Sequence, residues 1–145
     1  MLPNYPYTLS RGGFMSLIAE QDAATTTMDD EDAAAMFRAC MNLFRLWKLS
    51  DAEADVLLDL SPRTLARWKS GAIGPIERDQ KARLAHLMGI HRSLRLMFQE
   101  PSRAYSWVRA RNRAFGDRSA LDVMLGGELS DLMRVRRHLI SEVGE

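Results

Sequence analysis

Apolar residues recur along most of this chain at the spacing of helices, and no stretch of useful length alternates as a strand would. Met36, Cys40, Leu43, Phe44 and Trp47 fall at i, i+4, i+7, i+8 and i+11, which predicts a first core helix opening near the acidic Asp30. Ile76, Leu84 and Leu87 mark the buried side of a later helix that Gly89 should end, with Leu94, Met97 and Phe98 on a short helix or on its tail. Beyond Pro101-Ser102, Ser102 is expected to cap a helix through Tyr105, Trp107 and Val108, and Phe115-Gly116-Asp117 to turn. Ser119 should start a short helix with Leu121, Val123, Met124 and Leu125, broken by Gly126-Gly127. Leu129, Leu132, Met133, Val135, Leu139, Ile140 and Val143 give the last helix a stripe wide enough for a core and an interface together. The expected fold is all-α: a helical domain over 29–100, a small helical C-terminal domain over 101–145, and a mobile arm over 1–28, where Pro3, Pro6, Gly12, Gly13 and a Thr tract interrupt any periodicity.

The best-specified stretch runs from Trp47 to Gly71. Ser50 and Glu53 form an S-x-x-E capping box, so a helix carrying Ala54, Leu57 and Leu58 inward starts there. Ser61-Pro62 reads as N-cap and N1 of a second helix, because proline at N1 loses only an amide that has no helical partner. Ten residues between the caps leave room for a short helix and a tight turn at Asp59-Leu60, the pattern of a helix-turn-helix. On the second helix Leu65 and Trp68 share one side, while Arg63, Ala66 and Arg67 share the other. The arginine side is where a recognition helix meets the major groove. Arg63 and Arg67 suit guanine or phosphate, Ser61 and Thr64 phosphate or a base, and Lys69 the DNA backbone.

Charge changes the picture more than composition does. Residues up to Leu60 hold ten acidic and four basic side chains, a balance of −6, while the whole chain is +1, so the remainder is +7. An anionic partner is one consequence of such asymmetry; self-association through opposite charges is another. The one cysteine, Cys40, lies in an apolar row and reads as a buried small hydrophobe. No apolar run approaches membrane-spanning length, and a cytoplasmic protein is expected.

Catalytic chemistry finds little support. His86, His91 and His138 lack metal-ligand spacing, no glycine-rich phosphate loop is present, and Glu77, Asp79 and Asp122 stand near helix starts, where the helix dipole accounts for them. The chain is read as a non-enzyme with no cofactor and no metal.

The order Trp107, Asn112, Phe115-Gly116, a short Leu121/Met124 helix, Gly126-Gly127, then Leu132, Val135 and Leu139 resembles the C-terminal toxin-binding domain of Xre/MbcA/ParS-type antitoxins. The Trp47–Gly71 stretch is similar to the helix-turn-helix that accompanies that domain, and the resemblance spans roughly residues 35–145. Three positions depart from the pattern: Asp59 stands where the turn usually has glycine, Asp55 where a small apolar residue is usual, and Ser119-Ala120 where proline is usual. Asp59 tolerates a left-handed backbone, whereas Asp55 beside the DNA-facing side would repel phosphate.

The resemblance implies an antitoxin of a type II toxin–antitoxin system. Its partner would be a RES-domain toxin that degrades NAD or transfers ADP-ribose from it, occluded at its active site, and the complex would repress its own operon through operator DNA. Toxin contact is expected at Arg134 and Arg137, with Asn112, Gly126 and Gly127 as neighbours. A homodimer is expected, since one recognition helix alone buries too little to be specific. The competing reading is a stand-alone regulator whose C-terminal unit only dimerises. Under the antitoxin reading, truncation after about Glu100 is expected to leave operator binding intact and to abolish toxin neutralisation.

Overall fold

In the computed structural model, residues 28–144 are described, so the N-terminal arm expected over 1–28 lies almost wholly outside them. The order is α1 (Asp30–Leu46), α2 (Asp51–Leu58), α3 (Pro62–Lys69), α4 (Arg78–Met97), α5 (Pro101–Trp107), β1 (Arg111–Asn112), a 3-10 turn (Arg113–Phe115), β2 (Arg118–Ser119), α6 (Ala120–Met124) and α7 (Leu129–Val143). The fold is all-α apart from one two-residue antiparallel pair, in which Arg111 faces Ser119 and Asn112 faces Arg118. Strands this short have no alternation to show, so the sequence pattern missed them. Gly116 and Asp117, both at positive φ (66° and 61°), turn the chain between them.

Helix α1 is capped by Asp29, whose carboxylate accepts the Asp32 amide at 2.7 Å, and its first turn is acidic as expected. Phe37 is fully buried on this helix while Met36 is only partly covered, one step round from the stripe read in the sequence. Its ring meets Trp68 edge to face at 5.4 Å. Cys40 is buried, its thiol donating weakly to the Leu84 carbonyl at 3.9 Å, and burial pushes its pKa up, which makes it inert.

Helix α4 differs most from expectation. It starts at Arg78, with Ile76 buried just ahead of it, and it passes straight through Gly89 to Met97. Gly89 is there for close approach: a Cβ would come within 2.6 Å of the Arg136 Nε of α7. Arg136 is 2 % exposed, and its Nη1 donates to His86 Nδ1 at 2.9 Å. On α4 the small residues Ala85, Gly89 and Ser93 are all buried along one line, and α7 packs there more extensively than any other pair of helices in the described residues. The core therefore does not stop at Pro101. One buried cluster runs from Ala33 through Leu57, Leu87 and Leu94 to Val108, Phe115, Leu132 and Leu139. Helix α5 starts at Pro101 in the N1 position, and Ser102 lies inside it, not at its cap.

His91 is 7 % exposed on α4, its ring stacked on Tyr105 at 6.4 Å with Nδ1 unpartnered. Burial first, then the neighbouring Arg95 and Arg92, lower its pKa from 6.5 to about 4. The folded state thus holds His91 neutral, and the stability this gives is complete above pH 6.5 and lost as pH falls towards 4, about 3 kcal/mol in all. His91→Phe is expected to flatten the fall of melting temperature between pH 6.5 and 4.5; an unchanged slope would assign the acid lability to carboxylates.

Candidate nucleic-acid and partner interfaces

The helix-turn-helix is built by its caps. Ser50 Oγ accepts the Glu53 amide at 3.1 Å and Glu53 Oε1 accepts the Ser50 amide at 2.9 Å, so the box closes in both directions. Asp59 ends α2 in the left-handed region (φ 51°, ψ 50°), and the Leu60 amide returns to the Asp55 carbonyl at 3.0 Å. Aspartate does here what glycine usually does. Ser61 then caps α3, accepting the Thr64 amide at 3.1 Å with Pro62 following at N1. Helix α4 braces the unit from behind: Arg83 pairs with Asp79 at 2.7 Å and donates to the Leu57 carbonyl at 3.2 Å, and Gln80 donates to the Asp59 carbonyl at 3.3 Å.

On α3, Leu65 and Trp68 are buried while Arg63, Ala66 and Arg67 are exposed, so the arginine face is presented outward. The other three candidate positions are already engaged. The Ser61 hydroxyl donates to Thr64 Oγ1 at 2.9 Å, which leaves the Thr64 proton as the one directed elsewhere. Lys69 turns back to Asp51 of α2 at 2.8 Å, in an exposed ion pair that no spacing rule signalled. Asp55 stands beside them, half-buried, with Oδ1 unpartnered. Desolvation and then Asp51 raise its pKa, against the opposing pull of Lys69.

Positive charge concentrates around this unit. Residues 61–99 hold eight basic and two acidic side chains, whereas 100–145 hold eight and seven. Of the C-terminal arginines, Arg109, Arg118 and Arg136 are committed to structure. Arg109 closes the end of α1, donating to the carbonyls of Trp47 at 3.0 Å and Lys48 at 2.6 Å, with Glu53 at 3.5 Å. Arg118 donates to the Asp122 carbonyl at 2.9 Å. Asn112 caps the 3-10 turn, accepting the Ala114 amide at 2.9 Å. Gly126 sits where a Cβ would meet the Asp131 carboxylate, and Gly127 (φ 87°) lies against Val56 of α2, 3.6 Å from its Cβ position. Of the expected toxin contacts, Arg134 and Arg137 are exposed, and Arg134 lies over the Phe115 ring at 5.5 Å.

Trp107 joins that ring system, stacked on His138 at 6.3 Å and edge-on to Phe115 at 6.3 Å, and Arg103 covers Phe98 at 5.4 Å. Spacing alone did not bring His138 to Trp107 and Phe115, because these partners are distant in sequence.

Comparison with known proteins resolves the two halves. Residues 28–89 match the family profile described as the antitoxin Xre-like helix-turn-helix domain, and residues 93–142 match the antitoxin Xre/MbcA/ParS C-terminal toxin-binding domain. The chain belongs to the Xre/MbcA/ParS antitoxin family. It is 33 % identical over 122 residues to the uncharacterized protein y4oB of Sinorhizobium fredii, covering 83 % of this chain and 94 % of that one. Both matched units of this antitoxin are binding modules, not catalysts. The boundary between the profiles falls within α4, so the two modules of the antitoxin share one continuous helix. No helix among the described residues is long and apolar enough to cross a membrane.

Proposed function

We propose that this antitoxin neutralises a RES-domain toxin, one that degrades NAD or transfers ADP-ribose from it, by binding over its active site, and that it represses its own operon through α3. The observation that carries the reading is the pairing of an outward Arg63/Arg67 face in the first matched unit with a toxin-binding unit in the second, the two joined through α4. Residues 29–100 serve operator DNA in this account, and residues 101–145 serve the toxin. A homodimer in the cytoplasm would present two recognition helices to two half-sites. The test is NAD consumption by the protein encoded beside this gene, assayed with and without the purified chain. Stoichiometric inhibition supports the reading; a neighbour that consumes no NAD, or consumes it undiminished, overturns it.

Asp51, which neutralises Lys69, and Asp55 place two carboxylates next to the DNA-facing helix. Asp51→Asn with Asp55→Asn is expected to release Lys69 and strengthen operator binding roughly tenfold at low salt, with a steeper salt dependence. Unchanged affinity and slope in a mobility-shift titration would show that these carboxylates lie clear of the phosphates.

A further inference from the structure

The toxin-binding unit carries an open face along α5, where Ser102, Arg103 and Ser106 are exposed. Helix α5 stands between two grooves. One, of about 450 Å³, is lined by Leu46, Trp47, Lys48, Tyr105 and Arg109, and the other, of about 290 Å³, by Phe98, Arg103 and Trp107; Ser102, Ser106 and Ala110 line both. Those three small residues recur at i, i+4 and i+8, are all exposed, and form a low ridge that a partner's backbone can approach closely. The half-buried aromatics flank it: Tyr105 on one side, Phe98 and Trp107 on the other. Leu46 is one of the two exposed large hydrophobics among the described residues.

We infer that this Phe98–Ala110 face is where the toxin docks, and that it takes a carboxylate-bearing segment with apolar side chains entering the two grooves. The inference rests on the antitoxin reading and deepens it. Charge complementarity selects the occupant: the charged residues lining the grooves are Lys48, Arg103 and Arg109, all basic; Arg109 is already held by the end of α1 and Glu53, so Lys48 and Arg103 carry the argument, and Arg134 extends the same sign beyond Phe115. Trp107 is pre-positioned by His138 and Phe115, so an anchor of the kind that dominates interfaces is ordered before binding. The alternative surface, the Gly126-Gly127 turn, is directed at Val56 and at Asp131 instead.

The experiment is hydrogen–deuterium exchange on the full chain, free and in complex with the toxin encoded beside its gene, read with three variants. Protection over residues 98–110 is expected. Ser106→Arg, which fills both grooves, should weaken the complex roughly a hundredfold, and Arg103→Glu roughly tenfold. Arg38→Glu, an equal reversal on the exposed side of α1, should change nothing. Protection confined to 126–137 or to α3, or wild-type affinity in Arg103→Glu with a normal melting curve, overturns the inference. Protection of 98–110 that appears in the free chain as its concentration rises assigns the face to a second copy and also overturns it. A wild-type chain that forms no complex at all defeats the antitoxin reading itself, which is a different outcome.

Discussion

A chain ended after Glu100 is expected to lose cooperative folding, and DNA binding with it, in place of the clean separation of functions that the sequence suggests. The cut removes Ala104, Val108, Phe115, Ala120, Leu121, Val123, Met124, Leu132, Val135 and Leu139, ten of the 26 buried residues of the single core cluster. It also strips α7 from the Ala85–Gly89–Ser93 side of α4, the helix that braces the recognition unit through Arg83 and Gln80. Each large side chain re-exposed costs about 1.5–3 kcal/mol, so uncovering even three or four approaches the whole stability of a domain this size, roughly 5–15 kcal/mol. Arg109 leaves in the same cut, and the end of α1 loses both its hydrogen bonds to that side chain. The measurement is thermal unfolding followed by near-UV circular dichroism, where residues 1–100 should show no cooperative transition. A sharp melt near that of the full chain would show that the recognition unit stands alone.

Replacing Arg63 and Arg67 together by alanine is expected to weaken operator binding by at least a hundredfold while leaving fold and toxin binding intact. Both side chains are exposed on α3, with Leu65 and Trp68 carrying the packing, so stability should move by no more than about 0.5 kcal/mol. A bidentate contact to guanine is worth about 1–3 kcal/mol, and two of them compound. If either arginine holds a phosphate instead, the slope of log affinity against log salt should fall by about one for each. Mobility-shift titrations at two salt concentrations distinguish base reading from phosphate contact. A double variant that binds at wild-type strength would remove α3 from the DNA interface.

What could be read in the sequence was local. The caps at Ser50, Ser61 and Ser119 and the left-handed Asp59 follow from side chains and backbone within three or four residues, and the structure has each in place. The opposed faces of α3 follow from a single periodicity. What was missed depends on partners far along the chain. Gly89 reads as a helix end until Arg136 is seen to lie across it. Lys69 reads as a DNA contact until Asp51 is found beside it, and nothing near Arg109 in the sequence signals that it closes the end of α1. Met36 and Phe37 are adjacent, and which of them is buried depends on where Trp68 stands.

The antitoxin role is tested most directly by viable counts of cells that express the neighbouring toxin, with the full chain, with its Arg63→Ala/Arg67→Ala form, or with neither. Rescue by both forms is the predicted result, because the neutralisation proposed above would proceed by direct binding through the C-terminal unit and would need no DNA contact. Cells that die equally with and without the chain, or that survive only when the arginines are present, would contradict the account.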